Sequence, residues 1–340
     1  MIRLPPRVIW FLLIPLSRLA SAEPVFNTVT VNGRNYVNLA DFVRFYQFDR
    51  KWRQNGPNLN LVSKYRHLQL RLNSRECFCN GIKLWLNDPP LESRSSILMP
   101  EVDIRRTLDP ILRAWAVPRR PVRTIMIDPG HGGEDRGASS RNGTHEKNLT
   151  LDLANRVKRL LKEAHFRILM TRRSDDYVSL EDRAEMFNSS KADLFVSLHM
   201  NSAKPNPTPR GIETYCLTPA GLSSTGAIRR RWGIGRFDEE KGNRFDTQNM
   251  LLAYLVQQKA VSGISEAEDR GIKRARYLVL KNAGKPAVLI EAGFLSNSTE
   301  EKRLLDPKYR QKLAASIVEG LKLYAAIMNR QGFKQKVKRK

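Results

Sequence analysis

The feature that most constrains this chain is a change of texture at Val117-Pro-Arg-Arg-Pro-Val-Arg123. Ahead of it, apolar and polar residues alternate with a period of two, as in Thr28-Val-Thr-Val-Asn-Gly-Arg34 and Leu68-Gln-Leu-Arg-Leu72. Asn32-Gly33 and Asn80-Gly81 interrupt these runs as tight hairpin turns do. Beyond it, short apolar runs take turns with helical stripes, the pattern of an α/β sheet. The Pro/Arg-rich stretch over 117–123 therefore reads as a linker between a small domain over 24–116 and a larger one over 124–329. The last residues, 330–340, read as a basic tail with an ordinary solvated role.

In the larger part, Thr124-Ile-Met-Ile127, Leu194-Phe-Val-Ser-Leu198 and Ala287-Val-Leu-Ile290 are expected to be buried strands. Leu149, Leu153, Val157, Leu160, Leu161 and Ala164 give one helix its apolar stripe, and a second helix is expected from Thr247 to Ala260. A third begins at Asp306-Pro307 and carries Leu313, Ile317, Leu321, Tyr324 and Met328 on one side.

The amino terminus points to export. Arg3 and Arg7 precede the apolar run Val8–Ile14, and Ala20-Ser21-Ala22 is a small-x-small cleavage pattern. Residues 1–22 read as a secretory signal peptide, since Pro15 and Arg18 cut the run well short of a membrane span. No stable membrane insertion is expected once it is removed. The 340 residues carry 59 Lys and Arg against 34 Asp and Glu, a formal charge of +25. Such a balance calls for an anionic partner, and export turns that partner from cytosolic nucleic acid towards an anionic envelope. Three cysteines are too few for a disulfide scaffold.

Within the smaller part, Val31-Asn-Gly-Arg-Asn-Tyr-Val-Asn-Leu-Ala-Asp41 is echoed by Cys79-Asn-Gly-Ile-Lys-Leu-Trp-Leu-Asn-Asp88. Ile97-Leu-Met-Pro-Glu-Val-Asp-Ile104 repeats the segment that leads into a helix. These patterns resemble the copper amine oxidase N-terminal-like domain, a small α+β envelope module, and no site is carried over from it.

The chemistry concentrates where apolar runs end. His131 follows the first strand in Ile127-Asp-Pro-Gly-His-Gly-Gly133, His199 follows the second and Glu291 the third. In open α/β sheets the carboxyl ends of strands share one crevice, so these side chains can converge. Glu146, opening the following helix, brings a carboxylate to the same edge. Two His and two Glu suit a catalytic zinc site, in which three ligands leave a position open and one carboxylate remains as a base.

Five blocks in order make the larger part recognisable: Ile127–Gly133, Glu146-Lys147, Ala192-Asp-Leu-Phe-Val-Ser-Leu-His-Met-Asn-Ser202, Arg270-Gly-Ile-Lys273 and Pro286-Ala-Val-Leu-Ile-Glu-Ala-Gly-Phe-Leu-Ser-Asn297. From Thr124 to about Asn329 the chain resembles the zinc N-acetylmuramoyl-L-alanine amidases of type 3. The resemblance implies a mixed, twisted sheet flanked by helices. It implies zinc held by His131, Glu146 and His199, with Glu291 as the catalytic carboxylate. The bond cut would join N-acetylmuramic acid to L-alanine in peptidoglycan, in septal cleavage or wall turnover. It places the protein in the periplasm, with an extracellular or wall-associated location as the alternative.

Other residues compete for roles. Asp128 either orients the His131 ring or serves a turn; His145 stands beside Glu146; and Glu213 faces the pocket or, the better expectation, forms a surface ion pair. Asn201 and Ser202 are candidate groove residues, whereas His165 and His67 are not favoured. Cys77, Cys79 and Cys216 read as strand residues. Residues 217–246, with Arg229-Arg-Arg231 and Asp238-Glu-Glu240, form a loop that would cover the site until a protein activator lifts it, or a plain solvated loop. Three rival functions are a non-catalytic wall-binding or activator protein of the same fold, a zinc peptidase acting on wall peptides, and a basic nucleic-acid binder with no need for Glu291, which export disfavours.

Overall fold

The computed structural model describes residues 24–49, 53–93, 96–140, 143–226 and 238–330. The leader, the basic tail from residue 331 and Arg229–Arg231 lie outside them. Two sheets are present. The small one has the order β1 (Thr28–Val31), β2 (Arg34–Asn38), β9 (Ser96–Pro100), β8 (Leu91–Ser93), and helix α1 (Leu39–Tyr46) follows β2. Asn32-Gly33 turns β1 into β2 and both residues have positive φ, the backbone a two-residue hairpin demands.

The large sheet has eleven strands. One half runs β11 (Arg167–Met170), β10 (Thr124–Pro129), β12 (Leu194–Asn201), β15 (Ala287–Phe294), β13 (Ile212–Leu217), β14 (Asp269–Ala275). All its neighbours pair in parallel except β13 with β15, so the sheet is mixed. The other half is an antiparallel meander: β7 (Ile82–Trp85), β6 (Glu76–Cys79), β5 (His67–Arg71), β4 (Asn58–Val62), β3 (Arg53–Asn55). The halves join where Leu84 of β7 meets Ile272 of β14 in parallel. Lys83 donates its backbone N–H to Asp269 at 2.8 Å across this seam, and Trp85 donates its indole N–H to the Arg270 carbonyl at 3.0 Å.

One face of the large sheet packs against α2 (Glu146–Glu163), α4 (Asp246–Gly263) and α7 (Pro307–Asn329), with the main core between. Ile125, Ile127, Val196, Ile290, Leu84, Cys79, Leu68 and Leu61 all point into it. The period of two then sends Met126, Phe195 and Leu289 to the opposite face. There they meet α3 (Leu180–Ser189) and α5 (Leu278–Lys281) in a smaller cluster. A further helix, α6 (Ser298–Leu305), precedes α7. The expected stripe on α7 is buried in full, and Asp306 caps its first turn through Lys308 N–H at 2.8 Å. All three expected strands run longer than their apolar cores: β10 continues through Asp128 to Pro129, β12 through His199 to Asn201, and β15 through Glu291 to Phe294. Polar residues sit inside these strands because the ladder, not hydrophobicity, carries them on. No helix of the described residues is long and apolar enough to cross a membrane.

Candidate active site and metal centre

The four residues singled out in the sequence meet at the carboxyl edge of β10, β12 and β15. Past Pro129 the chain turns through Gly130-His131-Gly132, with His131 left-handed at φ 61°. A side-chain-bearing residue rarely holds that backbone without support. Support comes from two buried arginines. Arg172 donates from Nε to the Pro129 carbonyl and from Nη2 to the Gly130 carbonyl, each at 2.9 Å. Arg183 donates to the carbonyls of Pro129 and His131, each at 2.8 Å. Arg183 also pairs with Asp128 at 2.6 Å, and Asp128 further accepts from Thr171 and Ser197 at 2.6 Å. Burial opposes the Asp128 charge, yet Arg183 and the two hydroxyls outweigh it and hold the carboxyl below its ordinary range.

Glu146 is the first residue of α2, where the helix terminus favours negative charge. Its carboxylate accepts the backbone N–H of Ala138 at 2.8 Å and of Met200 at 2.9 Å. It also lies 3.1 Å from His131 Nε2 and 3.2 Å from His199 Nδ1. Burial resists its ionisation, but both imidazoles hold its pKa far below the usual carboxylate range. For His131, burial opposes the charged ring, while Glu146 and then Asp135 more than compensate and raise its pKa. One donor atom each from His131, Glu146 and His199 lies within 4.8 Å of the others. Two glycines leave the room for this. A Cβ on Gly130 would stand 2.2 Å from His199 Cε1, and one on Gly137, at φ +63°, would stand 2.6 Å from both Glu146 Oε2 and His131 Cδ2.

Glu291 pairs in register with His199 on one side and Glu213 on the other. Its Oε2 is buried with no hydrogen-bond partner among the described residues. Burial first, then the charges of Glu146 and Glu213, push its pKa well up, against a smaller opposing pull from Lys273. These four residues line a cavity of about 460 Å3 with Asn201, Ser202, Tyr177 and Tyr277. Tyr177 is exposed at its rim.

The donor set fits a zinc ion. Two imidazoles and one carboxylate are ligands zinc accepts, and a partnerless carboxyl stands on the same wall as a base would. Around them, His131 Nδ1 is 2.8 Å from Asp135 Oδ2, an outer contact that fixes the ring and its tautomer. Asp135 thus takes the orienting role considered for Asp128, which faces away into the arginine and hydroxyl cluster.

Glu213 departs from the expected surface pair. It is 1% exposed, accepts from Asn201 at 2.9 Å, from the Tyr215 hydroxyl at 2.7 Å and from Arg270 at 2.8 Å, and binds Lys273 as well. Asn201, Tyr215, Arg270 and Lys273 enclose the carboxylate on its face of the sheet and leave it no route to solvent. Burial opposes its charge, but Lys273 and these donors lower its pKa. His145 precedes α2 and contacts Ser139 Oγ at 3.0 Å, outside the cluster. His67 lies in β5 beside Asn60, and His165 follows α2 in a left-handed turn. Cys77, Cys79 and Cys216 are free and buried in strands. Of the acidic trio at 238–240, Glu240 pairs with Lys281 at 3.0 Å and caps the turn Lys241–Phe245.

Sequence reasoning missed Asp135, Arg172 and Arg183. Asp135 lay within reach, four residues past His131 in a glycine-rich loop. Nothing local marks an arginine that will bind carbonyls 42 to 54 residues earlier.

Fold and site together define an α/β protein with a His/Glu/His centre and a buried carboxyl at the strand ends. A family model described as N-acetylmuramoyl-L-alanine amidase matches residues 125–323, and the chain belongs to that family. N-acetylmuramoyl-L-alanine amidase AmiA of Escherichia coli (strain K12) is 33% identical over 220 residues, 59% of this chain and 76% of AmiA. The amidase AmiC2 of Nostoc punctiforme superposes with a TM-score of 0.50 at 28% identity, over 60% of this chain and 97% of that one. The CwlD amidase from Clostridioides difficile, solved in complex with the GerS lipoprotein, gives 0.50 at 25% identity over 60% and 99%. The β-rich region ahead of residue 117 lies outside the family match.

Proposed function

We propose that this protein is an exported, zinc-dependent N-acetylmuramoyl-L-alanine amidase that removes stem peptides from peptidoglycan. The observation that carries the reading is Glu291: a buried carboxyl, lacking a hydrogen-bond partner, on the wall of the cavity that holds the three-residue donor cluster. His131, Glu146 and His199 would hold the metal. Zinc, when bound, supplies Lewis acidity to the amide carbonyl and acidifies water.

The chain's own groups do the rest. Glu146 and Glu213 are held ionised by their hydrogen-bond partners, and Glu291 between them is pushed the other way. Environments that drive neighbouring carboxyls apart in this manner separate proton carrier from fixed charge. In its ionised form Glu291 Oε2 takes the proton of the attacking water, a form that its raised pKa makes a stronger base, and returns that proton to the nitrogen of the departing L-alanine. Arg172 and Arg183 keep the His131 loop in place throughout, so the reacting groups need no reorganisation.

The reading extends to the periplasm as compartment, through the leader at 1–22. It extends also to a protein activator acting on 217–246 and to a copper amine oxidase N-terminal-like module over 24–116. Digestion of purified peptidoglycan by the full chain, followed by mass spectrometry, tests the activity. Chelator-sensitive release of stem peptides with free L-alanine amino ends, lost in Glu291→Gln, is expected. Cleavage inside the peptide would make the protein a peptidase. Zinc-loaded protein giving no product would be either a gated enzyme or a silent binder, and deletion of residues 222–242 separates the two, since only the gated enzyme gains activity.

A further inference from the structure

The large sheet offers a second surface on the same face as Glu291. Leu84, Cys79, Cys77, Leu70, Leu68, Leu61 and Leu59 of the meander point to the main core, as does Ile272 of β14 beside them. The residues between them therefore face the side on which Glu213 and Glu291 lie. Helices α3 and α5 cover that side over the catalytic half only. Among the described residues it is open over β4–β6, forming a shallow cavity of about 350 Å3 lined by Asn58, Asn60, Gln69, Arg71, Glu76 and Phe78. β6 and β5 stand four and five strand spacings from β15, which is about 19–24 Å.

The chemistry of this surface is unlike that of the chain as a whole. Against a net charge of +25, Glu76 and Lys83 neutralise each other at 2.6 Å, and side-chain amides dominate. Asn60 stands mid-strand, where asparagine is disfavoured, and accepts from Gln69 Nε2 at 3.2 Å across the ladder. His67 Nε2 lies 3.4 Å from the same Asn60 oxygen, so Asn60 keeps its two N–H donors for solvent and Gln69 keeps its oxygen and second N–H. In the next row position on β6, Phe78 presents a half-buried ring at the level of Gln69. Amides that can donate and accept, an aromatic ring and the single cation of Arg71 suit a polyhydroxylated chain with a carboxylate on alternate sugars, as the lactyl group of N-acetylmuramic acid supplies, better than an apolar peptide.

We infer that the open face of β4–β6 is a second binding site, taking the glycan strand of peptidoglycan and holding the polymer while the carboxyl edge works on a stem peptide. The inference rests on the amidase reading for the identity of the polymer. Trp85 and Lys83 lie between the two sites and keep them on one rigid sheet through their bonds to Arg270 and Asp269.

Equilibrium binding of peptide-free glycan strands to the full chain tests it, with retention measured on immobilised strands. Glu291→Gln should bind them as tightly as the unmodified chain. Asn60→Ala/Gln69→Ala should weaken binding at least tenfold, and so should Arg71→Glu/Asn58→Asp, an exposed pair whose folding is checked by circular dichroism. Absence of binding by the unmodified chain would overturn the inference, as would binding that both pairs leave unchanged or that requires attached peptides. Retained glycan binding in a chain that cleaves inside the stem peptide and releases no free L-alanine amino ends would support the surface and sink the amidase reading separately.

Discussion

The two halves of the eleven-stranded sheet obey the same alternation yet use it differently. In the half containing β10, β12 and β15, helices cover both faces, so polar residues cannot reach water sideways and collect at the strand ends. In the meander β3–β7 one face is covered and the other open, so polar residues spread across a surface and satisfy one another through cross-strand pairs. The covered half accumulates groups it cannot satisfy, Glu291 foremost. The difference teaches that chemistry here follows from what a strand is denied, and binding from what it displays.

This contrast is open to test, and the largest effect falls at its sharpest point. Glu291→Gln removes the proton carrier while keeping the volume, so peptide release measured by mass spectrometry should fall by about 10²–10⁴-fold. The thermal midpoint should stay level or rise, because a buried carboxyl without a hydrogen-bond partner contributes no stability. A large drop in midpoint would break the comparison.

Arg183→Met probes the support beneath the site. It leaves Asp128 buried without its cation, at a cost of about 3–5 kcal/mol that urea unfolding would show. The pH dependence follows from the same pair. Asp128 titrates lower in the folded chain than in the unfolded one, so its contribution is full above the unfolded carboxyl pKa and is lost as pH falls through the folded value. Asp128→Asn should therefore flatten the fall in urea midpoint on acidification below about pH 4.

Asp135→Asn should reduce zinc affinity by about 10–100-fold in calorimetric titration, since it weakens the contact that fixes His131. The smallest effect belongs to the seam. Trp85→Phe removes the indole bond to the Arg270 carbonyl and should cost about 1 kcal/mol in urea unfolding. A much larger loss would mean that the halves are less independent than their chemistry suggests.

Much of the site was legible because it is written locally. An apolar run followed by His131, His199 or Glu291 identifies a strand end, and the glycines beside His131 mark a backbone that must turn sharply. The strand lengths were underestimated for the complementary reason: His199 and Glu291 are polar, and only the ladder reveals that the strands run on through them. Glu213 looked like a surface residue because its partners Arg270, Lys273 and Asn201 come from separate elements. The arginines under the His131 loop were illegible for the same reason. The union of two sheets into one was equally hidden, since Leu84 and Ile272 carry no sign of each other.

That union has a consequence for how the chain reaches its final shape. β7 precedes its neighbour β14 by 188 residues, counted from Leu84 to Ile272, so the edge of the meander stays open until that stretch of chain is available. An exposed edge is a template for wrong partners, and pairing across so long a separation is slow. The seam therefore makes assembly of the meander depend on completion of the catalytic half, and a truncated or stalled chain would leave β7 as its most adhesive feature.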